Sequence, residues 1–205
     1  MRGIVHKLKI KSTMDIYQDN LSYLWNFNDF NKRLENDIKD CGDKQNRKTN
    51  VKGYMTYWQM HTKYDSFKNL LVMIVKEHLE NYKRLTLVGG DTVRIYCPSM
   101  WGNIYNKGDH TQEHDHTGSR FSFTYYVKCN ENSSPIVFSH PGFMQIKPKT
   151  GDLLIWDSDY KHMVPEQLTD SERVVIAGNL NYHAEIQTPA EIINAWYKRT
   201  NNGTS

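Results

Sequence analysis

Three histidines and one arginine in the second half of the chain have the types and spacing to build a metal site beside an anion-binding group. His114 and His116 are separated by one residue, His162 follows the apolar run Gly151–Trp156, and Arg173 lies eleven residues after His162. In a strand, residues two apart point to the same face, so the first two imidazoles could bind one metal ion. With the third imidazole, a mononuclear metal site is favoured over histidines on a solvated strand edge.

Arg173 opens the apolar segment Arg173–Asn179, which is typical of a buried strand. A buried guanidinium needs an anionic partner, and a carboxylate that accepts two parallel hydrogen bonds fits its geometry best. That carboxylate could belong to a bound ligand, or to a nearby side chain such as Glu172 or Asp170. The sequence leaves both alternatives open.

Other side chains near the first histidine pair are weaker candidates as metal ligands. Asp115 or Glu113 could supply a carboxylate only if the strand register were shifted. His110 could be the first ligand, but the residue two positions after it is Gln112. A zinc hydrolase site would also suit three histidines, although it gives Arg173 no role.

The elements that must position these residues follow from hydrophobic periodicity and turn residues. Apolar residues recur at helical spacing over Ser66–Tyr82, which predicts a helix there. A closing helix is predicted over about 188–200, beginning with a capping box at Thr188, Pro189 and Glu191. Six strands are predicted between turn-forming residues: Val93–Cys97, Phe121–Lys128, Ile136–Ser139, Phe143–Ile146, Asp152–Trp156 and Arg173–Asn181. This order predicts an α+β fold with a β sandwich at its centre.

Composition limits the classes of protein to which the chain can belong. Its 205 residues suit one domain, and 38% hydrophobic with 12% aromatic residues are enough for a core. The net charge of +3 is spread along the chain, which argues against a nucleic-acid-binding surface. Three widely spaced cysteines indicate free thiols. Since no apolar run approaches about 20 residues and no signal peptide is evident, we expect a soluble cytoplasmic protein.

Three segments resemble those of the iron(II)- and 2-oxoglutarate-dependent oxygenases, which have a double-stranded β-helix (jelly-roll, cupin-like) fold. They are His114–Val127 (HDHTGSRFSFTYYV), Gly151–His162 (GDLLIWDSDYKH) and Arg173–Asn179 (RVVIAGN). That superfamily has two closely spaced metal ligands, a distal histidine, and an arginine about ten residues further on. More narrowly, the segments resemble prolyl-hydroxylase-like oxygenases of marine bacteria and their tailed phages, whose Gly-aromatic segment is similar to Asn50–Tyr54.

The resemblance implies a domain organisation. The chain would be one oxygenase domain over residues 1–205, with an N-terminal helical elaboration over about 1–85. The β-helix core would span about 86–183, and the closing helix would pack on it. If the gene belongs to a phage, the protein would act in the host cytoplasm.

The resemblance also implies an iron(II) site formed by His114, His116 and His162. In most of the superfamily the second ligand is a carboxylate, whereas this chain has His116 at that position. Three neutral imidazoles would leave the ferrous ion more positive than a site with a carboxylate does. 2-Oxoglutarate would take two of the remaining coordination positions and dioxygen (O2) the last.

Binding of 2-oxoglutarate is expected to depend on four further residues. By the resemblance, Arg173 and Tyr126 hold the far carboxylate of the cosubstrate, and Tyr105 and Asn103 lie close by. The alternatives are aromatic core packing for the two tyrosines, and hydrogen bonding to buried backbone groups for Asn103 and Asn179.

The implied reaction is hydroxylation of an unactivated C–H bond, coupled to conversion of 2-oxoglutarate into succinate and carbon dioxide. The resemblance favours a peptide or protein side chain as substrate, with prolyl hydroxylation first, and leaves a small molecule open. Phe123, Tyr125 and the loop Asp40–Val51 could shape the substrate opening.

Two other functions are compatible with the same fold. One is nucleic-acid demethylation by the same chemistry, for which Lys7–Lys11 and Lys44–Lys52 are the basic segments. The other is a cupin-like binding module without catalytic activity. We expect no membrane partner and no nucleic-acid partner, and the sequence does not decide between a monomer and a homodimer.

Overall fold

The computed structural model describes residues 4–10, 12–42, 49–79 and 92–185. The strands in these ranges are β1 (Ile4–Ile10), β2 (Ser12–Asn20), β3 (Val51–Lys52), β4 (Tyr54–Met55), β5 (Thr92–Tyr105), β6 (His110–His114), β7 (Phe121–Lys128), β8 (Ile136–His140), β9 (Met144–Ile146), β10 (Asp152–Asp157), β11 (Lys161–Val164) and β12 (Arg173–Glu185). The helices are α1 (Phe27–Cys41), α2 (Met60–Lys63) and α3 (Asp65–Met73), with a 3-10 turn at Leu21–Tyr23 and a π-helical turn at Ile74–Leu79.

Two antiparallel sheets form the centre of the fold. The larger has the strand order β1-β2-β10-β7-β12-β5-β4, and the smaller has the order β3-β6-β11-β8-β9. One buried cluster takes side chains from both sheets, including Tyr126 and Trp156 from the larger and Phe138 from the smaller. The sheets therefore face each other across a shared interior, which confirms the predicted β sandwich.

The predicted strands correspond to β5, β7, β8, β9, β10 and β12. The helix predicted over Ser66–Tyr82 is found up to Leu79 as α3 together with the π-helical turn that follows it, and the predicted residues 80–82 lie outside the described residues. The closing helix predicted over about 188–200 lies outside the described residues. Within the described ranges, the helices are too short or too polar to cross a membrane.

The N-terminal part differs from the helical elaboration that the sequence predicts over about 1–85. It begins with the strands β1 and β2, and β2 pairs with β10, so the larger sheet extends into this region. Met14 and Ile16 point between the sheets, whereas Tyr17 packs on the outer side. Few apolar residues mark this alternation within a polar segment, and the sequence analysis therefore missed it.

Helix α1 packs against the outer face of the larger sheet. An added Cβ at Gly102 would lie 2.5 Å from Ile38 Cγ1, so the missing side chain allows α1 to approach β5 closely. Asn31 fixes the helix further, because its Nδ2 donates to the Val127 carbonyl at 3.2 Å and its Oδ1 accepts from the Tyr125 hydroxyl at 2.6 Å.

Strand β7 is buried on both faces, because one face packs against the helices and the other faces the interior between the two sheets. Its outward residues pack in the cluster with the helices and are all apolar or aromatic: Phe121, Phe123, Tyr125 and Val127. The alternate residues, Ser122, Thr124 and Tyr126, are also buried but point to the other face. The polar side chains of this strand therefore line the interior, where the candidate site lies.

Candidate metal centre and adjacent anion pocket

His114 and His162 are direct cross-strand partners on β6 and β11. This pairing brings their ring centroids to 4.3 Å from each other. The ligand nitrogens of His114, His116 and His162 all lie within 4.8 Å of one another. The three nitrogens could together hold one metal ion, to which each imidazole would bond at about 2.0–2.1 Å.

His116 reaches the cluster from a turn, because β6 ends at His114. The backbone N–H of His116 donates to the Ser158 carbonyl at 2.8 Å. Asp115 shapes the turn, since its Oδ1 accepts from the backbone N–H of Thr117 at 3.0 Å and from the Thr117 hydroxyl at 2.7 Å. Its carboxylate is thus engaged away from the three rings.

Hydrogen bonds orient two of the three imidazoles. His114 Nδ1 lies 2.8 Å from the Gln112 carbonyl, and His162 Nδ1 lies 2.9 Å from the Tyr160 carbonyl. A carbonyl oxygen only accepts, so each Nδ1 must carry the proton. The Nε2 lone pair of each ring is therefore free for a metal ion. In protein metal sites, the other ring nitrogen of a histidine ligand usually donates a hydrogen bond in this way.

The electrostatic environment keeps the three rings neutral at pH 7. Burial, reinforced by the neighbouring imidazoles, lowers the pKa of His162 to about 3 and that of His116 to about 4. The pKa of His114 is lowered by burial as well. Neutral imidazole is the form that binds metal, so the site is ready to accept a cation at physiological pH.

Arg173 lies buried in the same cavity, where no anionic side chain of the described ranges pairs with it. It is 1% exposed, and its Nε and Nη1 form no hydrogen bond within the described part of the chain. Its guanidinium carbon lies 4.9 Å from the ring centroid of Tyr105 and 5.2 Å from that of Tyr126. The two aromatic faces hold the cation in place but supply no negative charge.

The two acids that could have paired with Arg173 bind other cations. Glu172 pairs with Lys128 at 3.0 Å and with Lys39 at 3.3 Å, and Asp170 pairs with Lys107 at 3.2 Å. The salt-bridge alternative considered for Arg173 is therefore wrong for both neighbours. A buried cation costs stability unless an anion joins it, so the cavity is suited to an anionic ligand.

Three further polar groups line the cavity beside Arg173. The Tyr126 hydroxyl and Asn103 Oδ1 are buried without a hydrogen-bond partner among the described residues, whereas the Tyr105 hydroxyl lies 2.7 Å from Thr111 Oγ1. Burial raises the pKa of Tyr126 and of Tyr105, while the positive charge of Arg173 opposes the rise. Both phenols thus keep their protons, and Tyr126 can donate to a carboxylate.

The histidines, Arg173, Tyr126, Tyr105 and Asn103 line one cavity of about 60 Å³. A single water needs about 10–15 Å³ on this measure, so the space accommodates several heavy atoms. It presents three neutral nitrogen ligands and, further in, a cation flanked by hydroxyl groups. The residues present therefore fit a divalent metal ion together with a ligand that carries a carboxylate.

Some residues singled out from the sequence lie elsewhere. His110 pairs with Lys52 across β6 and β3 and is not part of the histidine cluster. Tyr125 bonds to Asn31 on the outer face of β7, which rules out the expected role of Tyr125 at the substrate opening. Phe123 packs in the same outer core but also contributes to the lining of the cavity. Most side chains of Lys7–Lys11 and Lys44–Lys52 lie outside the described residues, as does much of the loop Asp40–Val51.

Two tryptophans form a wall of the cavity that the sequence alone does not predict. Trp58 packs edge-on against Trp101 at 4.6 Å between ring centroids, and Trp101 lies 5.9 Å from the ring of His116. Both tryptophans line the cavity. The segment before Trp58 closes the sandwich from the side, because β3 pairs with the smaller sheet and β4 with the larger.

The comparisons with known proteins rest on structure rather than sequence. The chain matches no family model, and no curated protein matches it in sequence. Its fold is similar to a prolyl hydroxylase from Trichoplax adhaerens in complex with a hypoxia inducible factor oxygen degradation domain peptide, at 15% identity and a TM-score of 0.62, covering 83% of this chain and 84% of that one.

Two further solved structures extend the comparison. A viral collagen prolyl hydroxylase from Paramecium bursaria Chlorella virus-1, in complex with 2-oxoglutarate, has 14% identity and a TM-score of 0.59, over 80% of this chain and 94% of that one. The non-heme α-ketoglutarate-dependent carbocyclase SnoK from nogalamycin biosynthesis has 10% identity and a TM-score of 0.62, over 89% and 86%. These similarities confirm the predicted jelly-roll fold of the 2-oxoglutarate-dependent oxygenases.

Proposed function

We propose that this protein is an iron(II)- and 2-oxoglutarate-dependent dioxygenase that hydroxylates an unactivated C–H bond. The observation that carries the proposal is the Arg173 guanidinium, which has no anionic partner among the described residues and is buried in the same cavity as three neutral imidazoles. A metal site alone does not account for such a cation. A cosubstrate that combines a metal-chelating group with a distant carboxylate accounts for both.

His114, His116 and His162 would hold the iron through their ligand nitrogens. The backbone carbonyls of Gln112 and Tyr160 fix the proton on Nδ1 of two of these rings, so little reorientation is needed before binding. When bound, the iron with 2-oxoglutarate and dioxygen supplies the oxidising chemistry, with succinate and carbon dioxide as co-products.

Arg173 would bind the far carboxylate of 2-oxoglutarate through its guanidinium, whose Nε and Nη1 have no hydrogen-bond partner among the described residues. Tyr126 would add a hydrogen bond from its hydroxyl, and the ring of Tyr105 would keep the guanidinium in position. Asn103, with its buried free Oδ1, lies on the same wall. A charge-assisted hydrogen bond in a buried site gives both affinity and orientation, which sets the direction in which the cosubstrate points at the metal.

The aromatic wall would keep the reaction away from water. Trp58, Trp101 and Trp156 line the cavity, and Trp156 lies 5.1 Å from the ring of His162. Exclusion of water strengthens the electrostatic contacts of Arg173 and limits side reactions of the oxidising centre.

A peptide or protein side chain is the proposed substrate class, with prolyl-type hydroxylation first. Two of the three similar structures described above are prolyl hydroxylases, and one of them is in complex with a peptide. The carbocyclase has the same fold, so a peptide library and a small-molecule library should be tested side by side.

The test is an anaerobic titration of the apoprotein with iron(II) and then with 2-oxoglutarate, in which the weak visible charge-transfer band of the chelate is recorded. We expect the band in the wild type and in the exposed-site control Arg33→Ala, and its loss in Arg173→Ala and His162→Ala. A wild type without a band, and with metal binding no tighter than that of His162→Ala, would contradict the proposed function.

A further inference from the structure

Four polar side chains form a hydrogen-bonded chain across three strands and one turn of the sandwich. Ser158 Oγ lies 2.7 Å from Ser122 Oγ, Ser122 Oγ donates to Asn179 Oδ1 at 2.9 Å, and Asn179 Nδ2 donates to Ser99 Oγ at 3.0 Å. Ser122 and Ser158 are each 1% exposed and Asn179 is 8% exposed. Such a buried network is stable only when its members are satisfied by one another.

The donors and acceptors fix one direction along this chain. Asn179 Oδ1 only accepts, so it takes the single proton of the Ser122 hydroxyl. Ser122 must then accept from Ser158, whose hydroxyl is the donor. The hydroxyl of Ser158 is therefore fixed, and with it the position of this residue between β10 and β11.

Ser158 in turn holds the turn that carries His116. Its carbonyl accepts from the His116 N–H at 2.8 Å, and its own N–H donates to the Arg120 carbonyl at 3.2 Å. His114 and His162 lie on paired strands, and their rings are bonded to backbone carbonyls. Among the described residues, the ring of His116 has no such bond, so its position depends on the backbone of its turn.

We propose that Asn179 and Ser122 are positioning residues for the metal centre, which act by fixing Ser158 and, through its carbonyl, the His116 turn. This inference rests on the proposed function, since it assumes that His116 is a metal ligand. Neither side chain has to touch the metal or the cosubstrate. Their role is to limit the freedom of the one ligand that the strand ladder does not hold.

The chain offers a matched control for this proposal. Asn31 is also 8% exposed and also uses both ends of its amide, but it lies on the helix side of the larger sheet. Asn31→Ala and Asn179→Ala each remove a buried amide and leave its partners unpaired. Both should lower the stability of the protein, whereas only Asn179→Ala should affect the metal.

The experiment measures the affinity of the folded full-length protein for cobalt(II), together with the visible spectrum of the bound ion. We expect Asn179→Ala and Ser122→Ala to weaken binding about 10- to 100-fold, as is usual when a group that supports a metal ligand is removed. Asn31→Ala should bind as the wild type does. If Asn179→Ala fails to fold, Ser122→Ala carries the test.

A double-mutant cycle shows whether the effect passes through His116. In a His116→Ala background, adding Asn179→Ala should leave the cobalt affinity unchanged. An equal further loss in that background, or wild-type affinity in both Asn179→Ala and Ser122→Ala, would overturn the inference and leave the proposed function intact. A wild-type protein that binds no metal would contradict both this inference and the proposed function.

Discussion

Arg173 and Tyr105 face each other directly on β12 and β5, and the guanidinium carbon of Arg173 lies 4.9 Å from the centroid of the tyrosine ring. The larger sheet therefore carries a cation into the interior of the sandwich and holds it against an aromatic face rather than a carboxylate. The buried charge of Arg173 lowers the stability of the protein without ligand, but the same charge is needed to bind an anionic ligand.

Replacement of Arg173 by a neutral side chain should stabilise the protein when no ligand is present. We expect Arg173→Met to raise the free energy of unfolding by about 1–4 kcal/mol, because an unpaired buried charge is replaced by an apolar group. Urea denaturation of the apoprotein measures this change. A less stable variant would mean that Arg173 has an anionic partner that the described residues do not provide.

2-Oxoglutarate should stabilise the wild type but not Arg173→Met. At a ligand concentration 100 times its dissociation constant, the expected gain is about 2.7 kcal/mol, since the ligand binds only the folded state. Thermal unfolding in the presence of manganese(II), with and without 2-oxoglutarate, gives the comparison. Arg173→Lys should fall between the two, because it keeps the charge but loses the fork of donors.

The buried histidines should make stability fall in mild acid. The pKa of His162 is lowered to about 3 and that of His116 to about 4, whereas the ordinary value is 6.5. The unfolded chain thus binds protons that the folded chain excludes. The contribution to stability is complete above about pH 6.5 and is lost as the pH falls toward 4.

Denaturation midpoints of the metal-free wild type and of His162→Gln between pH 7.5 and 4 test this dependence. The curve of the variant should be flatter, because glutamine does not titrate. Parallel curves for the two proteins would show that His162 is not held neutral by burial.

Asp115 should be dispensable for metal binding, whereas His116 should not. Asp115→Asn keeps an acceptor for the Thr117 turn, so we expect a change of less than about 10-fold in metal affinity, well below the usual loss for a ligand. His116→Ala should weaken metal binding far more under the same conditions, because only His114 and His162 remain as ligands. The opposite order would identify Asp115 as the ligand and the Asp115 turn as wrongly placed.

The contact between α1 and β5 should be sensitive to a single methyl group. Gly102→Ala places a Cβ 2.5 Å from Ile38 Cγ1, so overpacking should cost about 1–3 kcal/mol of stability. Adding Ile38→Ala should give a total loss smaller than the sum of the two single losses, because the second change makes room for the first. Additive losses would contradict this packing.

The sequence predicted the elements whose pattern is local. Strands such as β7 and β12 combine β-forming residues with clear turn boundaries, and the three histidines and Arg173 were recognised by type and spacing. Helix α1 lies within the helical elaboration expected over about 1–85, but its bounds were not predicted, although Phe30, Leu34 and Ile38 recur at helical spacing. That signal was available in the chain and could have been used.

Other features depend on contacts between distant parts of the chain, which no local pattern specifies. Strands β6 and β11 are short and polar, and only their mutual pairing brings His114 beside His162. Trp58 reaches the cavity because β3 and β4 join different sheets. The support of His116 by Ser158 likewise joins residues 42 positions apart in the sequence.

The two faces of β7 determine which substitutions in this strand would change the ligand site and which would change the packing. The outward residues belong to the apolar core, whereas Thr124 and Tyr126 on the inner face line the cavity. Substitutions on the inner face can thus alter ligand chemistry while the packing of the helices stays as it is. A one-residue insertion in β7, by contrast, would exchange the two faces and damage folding and activity together.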